Sequence, residues 1–246
     1  MKYLIAFTFT LQLFSATAFC QKKIEHNTYT WVSINSNLFV NKHWFIMADV
    51  HLRENNFFSS TSFIFGRVGL GYQVDNKLSF VAGYGNLLAS PTTAGWTTKA
   101  DEDRLFEQVI LSSEYKKIKL LQRIRNEQRW QDVIVEDKKA SSRKFTDRVR
   151  YLLNATIPVF KNKKLPQLVI GDELALNFGK AVIYNTFDQN RLFFGIKQSI
   201  TPSLGFDAGY MNILQQKSTG NSYINGDVMR LFFYYTLRPK KIKSGV

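Results

Sequence analysis

The 246-residue chain is long enough for one domain, and its 45% of hydrophobic residues excludes an intrinsically disordered protein. A mean hydropathy of −0.19 excludes a bundle of membrane-spanning helices. The net charge of +14 would suit a nucleic-acid binder, but the 33 lysines and arginines are mostly spread singly along the chain. We therefore predict no nucleic-acid partner and expect attraction to anionic lipid or lipopolysaccharide.

The first twenty residues have the pattern of a secretory signal peptide. Lys2 supplies a positive start, residues 4–14 form an apolar stretch, and the small residues 15–18 suit cleavage. The single cysteine, Cys20, lies at the end of this segment and excludes an intramolecular disulfide. Lipid attachment to Cys20 is disfavoured because the bulky Phe19 precedes it, where a small residue is normal.

The sequence therefore predicts an exported protein with three parts. These are a signal peptide at 1–20, one domain at 21–237 and a basic tail at 238–246. No segment after the first approaches 18 consecutive apolar residues, so the domain could enter a membrane only as a closed β-barrel.

From about residue 28 onward, apolar and polar residues alternate with a period of two, which is typical of strands. In residues 44–53 one face is apolar (Trp44, Ile46, Ala48, Val50, Leu52) and the other becomes polar (Phe45, Met47, Asp49, His51, Arg53). The pattern predicts about eleven strands, many of them longer than the usual soluble strand and long enough to cross a bilayer. Their expected spans are 28–38, 44–53, 61–74, 78–86, 103–115, 118–131, 145–157, 166–178, 187–200, 203–215 and 227–237.

The predicted connections alternate between short turns and longer linkers. The long linkers are expected at 87–102, 132–144, 179–186 and 216–226, and would face outward if short turns face the periplasm. The basic tail would then lie in the periplasm and the first strand would start outside. Bacterial barrels usually have an even number of strands. Either the pattern of eleven runs misses or splits one strand, or the N-terminal segment threads the lumen. The sequence leaves these alternatives open.

Several strands carry charges that cannot face lipid. The clearest is Arg123, Arg125, Glu127 and Arg129 at a strict spacing of two, since each arginine in mid-membrane would cost about 2–4 kcal/mol. We expect a bridged network in the lumen, either packing a narrow barrel or forming an anion-attracting pore or ligand pocket, with packing favoured. Its predicted members are Glu102, Arg104, Arg123, Arg125, Glu127, Arg129, Arg148, Arg150, Glu173, Asp188 and Arg191.

An ordered set of polar motifs carries a resemblance to a known family. The motifs are Asp101-Glu102-Asp103-Arg104, Arg123-Ile124-Arg125-Asn126-Glu127-Gln128-Arg129, Arg148-Val149-Arg150-Tyr151, Gly171-Asp172-Glu173 with Asn177, and Phe187-Asp188-Gln189-Asn190-Arg191. Over residues 27–237 the chain resembles the domain-of-unknown-function 2490 family, exported proteins mainly of Bacteroidota and Proteobacteria. The resemblance implies an outer-membrane barrel, with no established activity and no catalytic residues.

Signs of catalysis are sparse. The three histidines, His26, His43 and His51, form no zinc-protease pair, and no Gly-x-Ser-x-Gly elbow is present. The glycines at 66, 69 and 71 lie on a strand without a following helix, so close packing explains them better than a phosphate loop. The one local set to consider is His51 with Asp49 and Ser59 or Ser60.

These observations predict an all-β protein, an antiparallel up-and-down transmembrane barrel of about 10–12 strands with a charged lumen. We expect a monomer in the cell outer membrane, in contact with lipid and lipopolysaccharide and inserted by the barrel assembly machinery. Its expected role is a narrow channel or a structural or surface protein, without cofactor, metal or enzymatic activity. The alternatives are a barrel enzyme acting on lipid or lipopolysaccharide, of hydrolase or acyltransferase type, and a soluble secreted ligand-binding β-protein.

Overall fold

A computed structural model describes residues 22–162 and 165–239, so the predicted signal peptide and most of the basic tail lie outside the described residues. Eleven strands form one closed, mostly antiparallel barrel, which confirms the prediction of an all-β barrel with 10–12 strands. The described residues contain no helix that is long and apolar enough to cross a membrane. The strands are β1 (Lys23–Phe39), β2 (Trp44–Asn55), β3 (Ser60–Gln73), β4 (Leu78–Ala89), β5 (Ala100–Tyr115), β6 (Ile118–Val135), β7 (Lys138–Ile157), β8 (Gln167–Phe178), β9 (Phe187–Ser199), β10 (Leu204–Gln216) and β11 (Ser222–Leu237).

The odd strand number is accommodated where the barrel closes. Consecutive strands pair antiparallel, so the first and eleventh must run in the same direction. β1 accordingly pairs with β11 in parallel, from Lys23 opposite Ser222 to Leu38 opposite Leu237. The odd strand number is therefore real. Among the described residues no strand was missed or split, and β1 is part of the wall and does not thread the lumen.

One predicted linker is mostly strand in the structure. The prediction of a long linker at 132–144 is wrong, because β6 and β7 continue through it to a two-residue turn at Glu136 and Asp137. Both turn residues have positive φ, 50° and 56°, as a tight hairpin requires. Ion pairs extend this hairpin, because Asp132 contacts both Lys139 (2.7 Å) and Arg143 (2.9 Å).

The remaining long connections share one end of the barrel. The loop between β4 and β5 is confined to 90–99 and that between β10 and β11 to 217–221, shorter than predicted. Together with 179–186 they lie at the end where β1 begins, and the end where β11 finishes carries the short turns. The connection from β7 to β8, at 158–166, is an exception to this division because it is long and lies at the short-turn end.

A carboxylate fixes the largest of these loops to the extended hairpin. Asp137 accepts hydrogen bonds from the backbone N–H groups of Thr97 (3.0 Å) and Thr98 (2.7 Å). These donors stabilise the charged form and hold the pKa of Asp137 below its usual value. The contact therefore persists at neutral pH and weakens only in strong acid.

The alternation predicted for each strand separates an outer from an inner face. On β2 the outward side chains include Trp44, Ile46 and Val50, which are exposed, and the inward ones are Phe45, Met47, Asp49, His51 and Arg53, which are buried. On β3, Val68 and Leu70 are likewise exposed whereas Arg67 is buried. The barrel thus has a largely apolar exterior and an interior that is rich in polar side chains.

Inward aromatic rings fill space that glycines leave open. A Cβ added to Gly71 would lie 2.2 Å from the ring of Phe45, and one added to Gly83 would lie 2.9 Å from Phe106. Phe45 and Phe106 pack with Met47 and Val81 in one buried apolar cluster near the short-turn end of β2–β5. Gly71 and Gly83 therefore serve close packing, as the sequence indicated for Gly71, whereas Gly66 does not.

Replacing Gly71 by alanine is expected to destabilise the barrel by about 1–3 kcal/mol, because the new methyl group overlaps the Phe45 ring. Gly66→Ala on the same strand is the matched control, since nothing lies within 4 Å of its added Cβ. The temperature at which each variant loses its folded electrophoretic mobility in detergent measures the difference. Equal temperatures for the two variants would show that the ring moves aside without cost.

Candidate functional site

The structure places all eleven predicted network residues inside the barrel. They lie on neighbouring strands β5 to β9, and antiparallel pairing brings their rows together: Glu127 lies opposite Arg148, and Arg125 lies opposite Arg150. The spacing of two directs the side chains on β5, β6 and β7 inward. Asp188 and Arg191 are three apart on β9, and the register of β8 and β9 shifts beside Asp188. Sequence alternation and antiparallel order therefore account for most of the cluster, and this irregularity adds Asp188.

Glu127 is the centre of the network. Its side chain has no exposed surface, and its Oε2 accepts hydrogen bonds from Nε (2.8 Å) and Nη2 (2.5 Å) of Arg148. Its Oε1 accepts from Nη1 of Arg150 at 3.0 Å. Arg125 and Arg104 approach the same carboxylate at 3.6 and 3.8 Å. One carboxylate thus holds four guanidinium groups that would otherwise repel each other.

Glu173 on β8 is a second centre. It accepts hydrogen bonds from Arg123 (2.5 Å), Arg150 (2.5 Å) and Arg191 (3.2 Å). Arg150 therefore bridges the two carboxylate centres, with one amino group on Glu127 and the other on Glu173. The network is continuous from β6 to β9.

The other members extend the network toward the end with the longer loops. Asp188 accepts from Arg148 at 3.0 Å, and Glu102 accepts from Nε of Arg104 at 2.6 Å. Arg129 donates to the side-chain oxygen of Asn177 at 2.9 Å. Each of the eleven residues thus has at least one polar partner within the lumen.

A second set of charges, which was not among the predicted network residues, lies on the opposite wall. Asp49 on β2 receives a bidentate contact from Arg67 on β3, at 2.9 and 2.5 Å. Asp207 on β10 receives one from Arg230 on β11, at 3.0 and 2.9 Å. The alternation of each strand already put these residues on its polar face, so the signal was present, but isolated charges did not form a conspicuous row.

An aromatic side chain joins the two walls. Trp31 on β1 has the guanidinium of Arg53 stacked 3.6 Å from its ring centre and that of Arg191 at 5.0 Å. Arg191 is bonded to Glu173, and Arg53 contacts His51, which is bonded to Asp49. A continuous chain of contacts therefore crosses the lumen from β8 to β2.

Besides Lys197, ten arginines and six carboxylates of the described strands point into the lumen. They are Arg53, Arg67, Arg104, Arg123, Arg125, Arg129, Arg148, Arg150, Arg191 and Arg230, and Asp49, Glu102, Glu127, Glu173, Asp188 and Asp207. These side chains leave a cavity of about 560 Å³, with Trp31, Phe193 and Phe232 among its lining residues. The interior is therefore crowded and positively charged.

The residues considered for catalysis do not form a nucleophilic site. Asp49 and His51 do contact each other, with 3.1 Å between Oδ1 and Nε2. This leaves Nδ1 of His51 to accept from Arg53, at 3.3 Å. Ser59 donates to the backbone oxygen of Asn55 in the β2–β3 loop, and within the described chain no serine is hydrogen-bonded to His51.

Comparison with known proteins gives a family and nothing more specific. No curated protein and no solved structure matches the chain. The model of the family described as "Protein of unknown function (DUF2490)" matches residues 28–224, a span that runs from β1 into β11 and includes every network residue. The chain therefore belongs to the DUF2490 family.

Proposed function

We propose that the protein is an integral outer-membrane barrel with a side-chain-filled lumen, acting as a structural or surface protein and not as an open porin. The observation that carries the membrane location is the apolar exterior. Val50, Val68 and Phe194, for example, are each more than half exposed although they belong to regular wall strands. A water-soluble barrel would leave this surface in contact with solvent at high cost.

The dimensions of the wall agree with this proposal. The shortest strands have twelve residues, and at about 3.3 Å per residue and a tilt of about 40° they rise roughly 30 Å. This matches the apolar thickness of a bilayer. Aromatic side chains lie toward both ends, with Trp44 against Tyr72 (4.9 Å between ring centres) at one and Trp130 against Phe145 (5.2 Å) at the other.

Polar groups on the outer face are paired with neighbours on the next strand. Asp172 accepts from Asn190 at 2.6 Å and Asp227 from the hydroxyl of Tyr210 at 2.5 Å. Glu107 accepts from Gln128 at 3.2 Å. Such pairing lowers the cost of polar groups on a surface that faces lipid.

The lumen supports a structural role over free diffusion. The chain of contacts through Glu173, Arg191, Trp31 and Arg53 crosses the interior, and the ion pairs around Glu127 occupy the wall of β5 to β7. An eleven-stranded barrel is wider than an eight-stranded one, so long side chains such as arginine and tryptophan are suited to filling it. The same charges would favour anions if a narrow passage remained.

Two measurements test the proposal. In isolated membranes the protein should resist extraction by carbonate and by high salt and be released by detergent. In planar bilayers the purified barrel should give no conductance steps of porin size. Release without detergent would contradict the membrane location, and large stable steps would contradict the filled lumen. Small anion-selective steps would favour the narrow channel in its place.

A further inference from the structure

Arg53 is a buried cation without a counter-ion. Its side chain points inward from β2 and the residue is 7% exposed. Nε and Nη1 have no hydrogen-bond partner, and Nη2 has one weak contact, 3.3 Å from Nδ1 of His51. Within residues 22–162 and 165–239, no carboxylate forms an ion pair with it, in contrast to Arg67 and Arg230.

The charges around Arg53 do not compensate for it. Its strongest electrostatic interactions are with four other arginines, at positions 67, 150, 191 and 230. The carboxylates on this side of the lumen are already engaged, Asp49 by Arg67 and Asp207 by Arg230. Leaving a buried charge unpaired costs several kcal/mol, so a site of this kind favours an added anion.

Further free donors point to the same region. Nη1 of Arg67 and Nε of Arg150 are also buried without a partner. The positive charges of these two arginines repel that of Arg53. Guanidinium N–H groups bind carboxylate and phosphate oxygens with charge-assisted hydrogen bonds. Both arginines and Arg53 line the lumenal cavity.

An apolar wall lies beside these donors. Trp31 and Phe193 belong to a buried cluster with Val169, Met211 and Ile213, and all five line the cavity. At about 560 Å³ the space is much larger than a single inorganic ion needs. A cavity of this size is in the range of small-molecule sites, and its lining combines this apolar wall with many charged groups.

We infer that the lumen binds a small organic anion, with its carboxylate or phosphate group on Arg53 and its apolar body against the wall around Trp31. Lys197, which is exposed, lines the same cavity and adds positive charge where it meets solvent. The inference does not depend on membrane location, because the site is formed by the folded barrel itself.

Hexanoate is the probe that separates the two parts of the site. In the detergent-purified barrel at constant ionic strength, it should change tryptophan fluorescence saturably, because Trp31 stacks on Arg53. Acetate and inorganic phosphate should bind at least about tenfold more weakly, because they bury no apolar chain. Hexanol should give no saturable change. Equal responses to all four additives, or none to hexanoate, would overturn the inference.

Arg53→Met tests the anion-binding residue. This variant should lose the fluorescence response and the rise in unfolding temperature that hexanoate gives the wild type. Without hexanoate and at low salt it should unfold at the same or a higher temperature than the wild type, because an unpaired buried charge is removed. A normal hexanoate response in Arg53→Met would overturn the assignment.

Arg230→Met is the matched control. Arg230 also stacks on Phe232, at 4.1 Å, but its charge is neutralised by Asp207. Its removal should lower the unfolding temperature in every buffer because Asp207 loses its partner, while hexanoate should still stabilise the variant. Loss of the hexanoate response in Arg230→Met with retention in Arg53→Met would place the anion elsewhere and contradict the inference.

Discussion

Glu127→Gln is expected to destabilise the barrel by about 3–5 kcal/mol, since removing one partner of a buried ion pair leaves the others uncompensated. Glutamine has nearly the same shape and volume, so the change removes charge without creating a cavity. The four arginines around position 127 would then repel one another inside a medium that screens poorly. The unfolding temperature of the purified barrel in detergent, followed by its shift in electrophoretic mobility, measures the effect.

Glu107→Gln is the matched control, because Glu107 lies on β5 close to the same level but faces outward and accepts a single side-chain hydrogen bond among the described residues, from Gln128. Loss of the Glu107 charge should change the unfolding temperature little.

A double variant shows whether charge is the cause. Adding Arg150→Met to Glu127→Gln should recover part of the lost stability, because one of the unpaired cations is removed. Glu173 would still be neutralised by Arg123 and Arg191. If the double variant is less stable than Glu127→Gln, shape and not charge balance determines the role of Glu127.

The fold was predictable because strand alternation is a local property. A residue pair such as Asp49 and Val50 shows from its own chemistry which side chain faces the interior and which the exterior, and eleven alternating runs follow without knowledge of the partners. Barrel closure is different, because the parallel pairing of β1 with β11 joins residues about 200 positions apart. The hairpin around Asp137 was missed for another reason. Its stability comes from ion pairs between strands, which the composition of either strand does not reveal.

The candidate site was likewise predictable only in part. The arginine row at 123–129 was conspicuous because its charges repeat on one strand. Arg53 was not, because its significance lies in what it lacks: among the described residues no carboxylate forms an ion pair with it. The stacking of Trp31 between Arg53 and Arg191 likewise depends on strands β1, β2 and β9 meeting across the lumen. Sequence alone could indicate the polar interior, but not which cation would remain unpaired.

Val68→Arg is expected to prevent normal assembly of the barrel in the membrane. Val68 faces outward near the middle of β3, is 52% exposed, and lies between Ala48 and Tyr84 on the neighbouring strands. If this surface meets lipid, an arginine there costs about 2–4 kcal/mol, and the cost falls to nearly zero toward the interfaces. The barrel should therefore unfold at a lower temperature, and less of it should reach the membrane fraction in heat-modifiable form.

Ser60→Arg on the same strand supplies the depth control. Ser60 is exposed at the end of β3 beside the loop at 56–59, so the same side chain there should be accommodated near the interface with little cost. A difference between the two positions measures immersion in lipid and not merely the addition of charge. Normal assembly and unchanged unfolding temperature of Val68→Arg would mean that this face is solvated, and the secreted soluble barrel would then be the better account. Arg67, the neighbour of Val68 in sequence, shows why the contrast is informative: one step along the strand, the same side chain is tolerated because Asp49 neutralises it inside the barrel.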